Sequence, residues 1–122
     1  MIMKHIALFI AAILLFTSCQ LLPFNTLHST TTIKGNDAFI LGNNVHGKFF
    51  VRFKNTSNTE ITIWQVPIAG GQHSPLKVAA KQKAELKVDR NTALRIENPS
   101  SEAIDVELVV TGDIGLSMGY KN

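Results

Sequence analysis

From Thr30 onward apolar and polar side chains alternate with a period of two rather than 3.6, the mark of strands with one face on a core. Thr30–Ile33 is β-branched throughout, and Lys34-Gly35-Asn36-Asp37 supplies turn chemistry before a short strand at Ala38–Leu41. Lys48–Lys54 puts Phe49, Val51 and Phe53 on one face and Phe50 and Arg52 on the other. Asn55-Thr56-Ser57-Asn58 turns the chain into Glu60–Val66, and the two segments read as a hairpin. Lys83–Val88 alternates cleanly, Asp89-Arg90-Asn91 turns it into Ala93–Glu97, and Asn98-Pro99-Ser100-Ser101 turns it again. Ile104, Val106, Leu108 and Val110 line one face of the longest strand, opposite Asp105 and Glu107. After Gly112-Asp113 the pattern predicts a last strand over Ile114–Tyr120.

Eight or so short strands, with a turn signal roughly every ten residues, predict an all-β domain: a small antiparallel β-sandwich of immunoglobulin-like or jelly-roll type. A closed barrel is the rival arrangement. No helical segment separates the strands, which argues against a parallel α/β sheet. Only Val78–Glu85 has the composition for a turn of helix, and no convincing internal repeat stands out.

Composition narrows the classes. A chain of 122 residues has room for one domain, and 45% apolar against 17% charged residues suffices for a core. The formal charge of +3 comes from scattered lysines and arginines rather than a patch, so nucleic acid is not an expected partner. A single cysteine, Cys19, excludes an intramolecular disulfide.

The first eighteen residues differ from the rest. Lys4 precedes an unbroken apolar run, Ile6–Phe16, which as a helix would rise about 16 Å, half of a bilayer core of about 30 Å. That length suits the apolar core of an export signal better than a membrane span. The run ends in Phe16-Thr17-Ser18-Cys19, small residues leading into the cysteine. This segment resembles the lipobox of bacterial lipoproteins, with Phe16 in the place where Leu is usual. The resemblance implies cleavage before Cys19 by signal peptidase II and lipid modification, palmitate included, of Cys19. Such chains add about 0.8 kcal/mol of membrane affinity per buried CH₂. By the enterobacterial sorting rule, Gln20 in place of Asp implies the outer membrane. The expected organisation is a signal peptide over residues 1–18, a lipidated tether over 19–29 and a β-sandwich over 30–122.

Candidate chemistry is sparse. Gly115-Leu116-Ser117-Met118-Gly119 matches G-x-S-x-G, yet the nucleophile elbow needs a following helix and a later histidine, and only three residues remain. Ser117 is therefore expected in a structural strand, with Leu116 and Met118 packed. His28, His46 and His73 have no His, Asp or Glu at i+2 or i+4, so they read as solvated loop residues, with neither metal nor cofactor expected. Asn55-Thr56-Ser57 fits a glycosylation sequon but reads as turn chemistry.

Four residues are candidates for contact. Trp64, the only tryptophan, precedes a loop holding Gln72 and His73, a set able to stack on and hydrogen-bond a sugar. Trp64 sits in a strand between Ile63 and Gln65, however, where the commoner role is sandwich core, and core is the expectation. Phe50 opposes its apolar neighbours beside basic side chains, so either its strand is buried on both faces or Phe50 belongs to a contact surface. The expectation is a non-enzymatic, lipid-anchored envelope protein that serves as an accessory or structural subunit for another envelope protein. The alternative is a glycan-binding module at the membrane surface.

Overall fold

The computed structural model describes residues 26–122; the expected signal peptide over 1–18, Cys19 and residues 20–25 lie outside the described residues. Nine strands follow one another: β1 (Thr26–Ile33), β2 (Ala38–Leu41), β3 (Phe49–Asn55), β4 (Ile61–Pro67), β5 (His73–Val78), β6 (Lys83–Val88), β7 (Thr92–Glu97), β8 (Ile104–Gly112) and β9 (Met118–Tyr120). They form two antiparallel sheets, β1-β8-β3-β6 and β5-β4-β7-β2-β9, so the expected all-β sandwich is observed. The interleaved order is that of a double Greek key, the jelly-roll arrangement.

The core lies between the sheets and is built by the alternation seen in the sequence. Phe49, Val51 and Phe53 of β3 and Val106, Leu108 and Val110 of β8 face Ile61 and Ile63 of β4 and Leu94 and Ile96 of β7. Each is buried, and burying one such side chain is worth about 1.5–3 kcal/mol.

Five local expectations change. β3 and β4 do not pair as a hairpin; they sit in different sheets, and the turn at Asn55 is a corner between layers. Among the connections only β4–β5 is a hairpin, and β5 occupies part of the segment expected as a loop. The expected turn of helix over Val78–Glu85 is instead the end of β5, a turn closed by Gln82 N–H donating to Ala79 O (3.1 Å), and the start of β6. The first strand opens at Thr26, so Thr26–Ser29, expected as tether, pairs with Leu108–Thr111 of β8. At the other end the strand expected over Ile114–Tyr120 shrinks to Met118–Tyr120. Gly112, at φ +91°, turns the chain where a Cβ would meet Lys48 O at 2.9 Å, and 113–117 becomes a loop.

The structure also contains a repeat that the sequence hides. Exchanging β1–β4 with β5–β8 maps the pairs β1–β8, β3–β8 and β3–β6 onto β5–β4, β7–β4 and β7–β2. Each half carries one buried asparagine at its corner. Asn55 Nδ2 donates to the carbonyls of Thr59, Val78 and Ala79, and Asn98 Nδ2 to those of Glu102, Ile33 and Lys34. Ser57 and Ser100, two residues on, each donate both N–H and hydroxyl to the asparagine Oδ1. Each asparagine thereby ties its own corner to the β1–β2 or β5–β6 turn beside it. The shared signature is Asn-x-Ser-x-x-x-Ile, at Asn55–Ile61 and Asn98–Ile104.

Candidate functional site

Strand direction divides the sandwich into two ends. One holds Thr26, the β2–β3 loop, the β4–β5 hairpin tip, the β6–β7 turn and the β8–β9 loop. The other holds the two asparagine corners and the β1–β2 and β5–β6 turns. The candidate residues fall at different places on this frame.

Phe50 stands on the outer face of the four-stranded sheet, 47% exposed, which settles it as a surface residue. Thr111 and Lys87 are its cross-strand neighbours, and they share an open depression of about 420 Å³ with Arg52, Glu85 and Leu86. The next rows outward read His28–Val109–Arg52–Glu85 and Thr30–Glu107–Lys54–Lys83, a grid of mixed charge. His28 is thus an exposed strand residue rather than a loop residue.

Trp64 is not core. Ile61 and Ile63 face inward, so the residue between and after them faces out, and Trp64 is only partly buried on the outer face of the five-stranded sheet. Arg95 lies directly across from it, and Ile40 directly across from Arg95. Val66 is partly exposed on the same face, while Ala38 and Ala93 there are buried, so the apolar side chains beside the guanidinium are Trp64, Ile40 and Val66. Arg95 Nη2 lies 3.5 Å from Glu97 Oε2, while its Nε is buried without a partner among the described residues.

Gln72 and His73 do not join Trp64. His73 pairs with Gln65, which lies on the opposite face of β4 from Trp64. Between the His73–Gln65 and Leu76–Ile63 pairs, Ser74 and Pro75 oppose Trp64 alone, a β-bulge with Ser74 at φ 54°. Both Gln72 and His73 are exposed, and the His73 ring nitrogen Nδ1 lies 2.9 Å from Ser74 Oγ. Phe50, on the other sheet, is remote from all three, so the four candidates form no single site.

His46 is a correction to the expectation of a solvated loop histidine. It is buried, edge-on to Phe49 with ring centroids 5.1 Å apart. Its Nδ1 faces Gly47 O at 2.6 Å and its Nε2 faces Thr92 O at 2.9 Å. Nearby, Asp113 accepts from Gly47 N–H (2.6 Å) and Gly115 N–H (2.8 Å). These two backbone bonds, Gly47 first, hold its carboxyl below the ordinary value of 3.8, against some desolvation and with help from His46. Ser117 sits in the same loop cluster, exposed, its N–H donating to Asn44 Oδ1 at 2.9 Å. Both ring nitrogens of His46 face backbone carbonyls, and among the described residues no imidazole bonds the Ser117 hydroxyl. Leu116 is partly buried against the core, whereas Met118 is 45% exposed on an edge strand, not packed as expected.

Among the described residues no group of three metal-ligating side chains comes together. The lipidation candidate, Cys19, lies outside the described residues.

No family model matches the chain, and no curated protein sequence does. Among solved structures it is similar to the crystal structure of the Yersinia pseudotuberculosis-derived mitogen (YPM). The two share 23% sequence identity over 73% of this chain and 86% of that one, with a TM-score of 0.48. A likeness at that level bears on neither site nor mechanism.

Proposed function

We propose that the chain is a lipid-anchored bacterial envelope protein, held to the outer membrane through Cys19, and that it is a non-enzymatic accessory subunit for another envelope protein. The observation that carries the reading is Met1–Cys19 itself: one lysine, an apolar run too short for a span, and the only cysteine directly after two small residues. Support for a protein partner comes from the outer face of the five-stranded sheet. Trp64, Arg95, Ile40 and Val66 stand there together, and tryptophan and arginine are the residues that most often dominate protein contacts.

The test is affinity capture of the tagged full-length chain from detergent-solubilised envelopes. The proposal expects one stoichiometric protein, lost with Trp64→Ala or Arg95→Ala while the fold persists. Equal capture by both variants refutes this face as the contact.

A second reading draws on the same observation. Trp64 on an outer face is able to stack on a sugar ring, with Arg95 rather than His73 as its polar neighbour. Saturable change in Trp64 fluorescence on titration with envelope glycans would favour that reading over a protein partner.

A further inference from the structure

We infer that the end of the sandwich bearing Thr26 docks against the lipid surface, with the tips of the β2–β3 loop and the β4–β5 hairpin, Val45 and Ile68, entering the headgroup region. The inference deepens the anchor reading and rests on it.

Three observations converge. First, large apolar side chains exposed among the described residues are distributed unevenly. Val45 is 81% exposed, Phe50 47%, Ile68 45% and Met118 45%, and all four lie in the half of the sandwich nearer Thr26. Tyr120 is the one such residue toward the other end, and its ring packs edge-on against Phe39 while its hydroxyl donates to Thr32 O at 2.9 Å. The far turns present Asn58, Glu60, Lys81, Gln82, Ser101 and Glu102 instead.

Second, the two apolar tips are held together. Asn91, at φ 54° in the β6–β7 turn, receives His46 N–H on its Oδ1 (3.0 Å) and donates its own N–H to His46 O (3.1 Å). Its carbonyl accepts from Ile68 N–H at 2.9 Å. Val45 and Ile68 therefore flank one turn, braced from below by the buried His46. Exposed Lys48 and Arg90 adjoin the same loops, with the Asp89 and Asp113 carboxylates beside them, so the docking rests on the two apolar tips and not on net charge.

Third, the chain itself brings lipid to this end. Thr26 pairs with Thr111, in the same row as Phe50, so β1 begins at this end and runs away from it. Six residues separate Cys19 from Thr26, and the seven Cα–Cα steps between the two, fully extended, span about 25 Å. The eight-residue β1 itself covers roughly 23 Å at its ordinary rise. A lipid on Cys19 thus keeps the Thr26 end nearest the bilayer, while the polar far turns come within reach only at the tether's limit. Docking on the tip leaves both outer sheet faces standing upright and open to a neighbour beside the chain.

The experiment separates this inference from the anchor it rests on. The chain from Cys19 onward, which contains all nine strands, is coupled through the Cys19 thiol to a maleimide lipid in vesicles of phosphatidylethanolamine and phosphatidylglycerol. The lipid is then present whatever the cell does, and metabolic labelling judges the anchor independently. Amide hydrogen exchange is compared between the vesicle-bound chain and the same chain free in solution. The expected result is at least several-fold slower exchange over 43–47 and 68–72, no change over 57–59 and 100–102, and loss of the protection in Val45→Asp/Ile68→Asp. Equal exchange at both ends, or protection that survives the double substitution, would overturn the inference. So would protection of the two loops by a solubilised envelope protein and not by the vesicles, since the occupant would then be a protein.

Discussion

Replacing Asn98 by alanine perturbs the fold at the point where its two halves join. The side chain is 2% exposed and makes five hydrogen bonds: Nδ2 to the carbonyls of Ile33 (3.0 Å), Lys34 (3.1 Å) and Glu102 (2.7 Å), Oδ1 from the N–H (3.0 Å) and hydroxyl (2.8 Å) of Ser100. Two N–H hydrogens serve three carbonyls, so one is shared, and about four full bonds are lost. At about 1 kcal/mol each the loss is about 4 kcal/mol, and any carbonyl left dry adds to it. A domain of this size commonly has 5–15 kcal/mol in all, so Asn98→Ala is expected to bring unfolding close to working temperature. Asn98→Asp keeps the shape and both acceptors but turns a carboxylate toward three carbonyls, and is expected to be at least as damaging. The Asn55→Ala substitution should match Asn98→Ala, because its bonds repeat the same pattern. Urea denaturation of each variant, with exposed Pro99→Ala as control, measures the cost. A loss below about 1 kcal/mol for Asn98→Ala would show that the corner is satisfied by water and that the asparagine is not a joint.

Three further outcomes follow from the loops. Gly35→Ala places a Cβ against Ser101 O, so the β1–β2 turn must shift and the Asn36 N–H bond to Ser100 O (2.8 Å) is lost; a cost above about 1 kcal/mol in thermal melts is expected, and none is expected for Gly119→Ala, where the added carbon meets nothing. The Asp113 carboxyl is depressed in the folded chain, so the stability it contributes is present above its unfolded value, near 3.8, and lost as pH falls through the folded value. The stability gap between wild type and Asp113→Asn should accordingly be flat above about pH 5 and narrow below it; a gap that widens on acidification contradicts the two backbone bonds. Leu116→Ala, partly buried in a loop, should cost about 1–2 kcal/mol, and Ser117→Ala almost nothing; esterase activity that disappears in Ser117→Ala would reopen the hydrolase reading.

Where alternation was unbroken, the strand could be read directly. β8 alternates from Ile104 to Val110 because each outward place holds a charged or solvent-tolerant residue, and β3 does so apart from Phe50. β5 was illegible for a local reason: the bulge at Ser74–Pro75 spends two residues on one partner and breaks the period just where Gly70 and Gly71 suggest a loop. Pairing was illegible for a different reason. Asn55-Thr56-Ser57-Asn58 suits a hairpin as well as a corner, and only tertiary contacts to Val78 and Ala79 select the corner. The Asn-x-Ser-x-x-x-Ile motif recurring at Asn98 was the available clue to the repeat. Parity with Ile61 and Ile63 already turned Trp64 outward, whereas its place within a strand argued for core, and parity prevails. The burial of His46 had no sequence signal, because beside Gly47 and Phe49 of its own segment the site is completed from the β6–β7 turn, where Asn91 accepts the His46 N–H and Thr92 O faces Nε2.

The central claim concerns Cys19 and the membrane. Cells expressing wild type and Cys19→Ala are grown with a labelled fatty acid, and the two proteins are isolated and compared for label and for fractionation with the outer membrane. The account predicts label and outer-membrane recovery for the wild type alone, with the variant retained as a longer, unlabelled precursor. Equal labelling of both, or an unlabelled wild type, contradicts it.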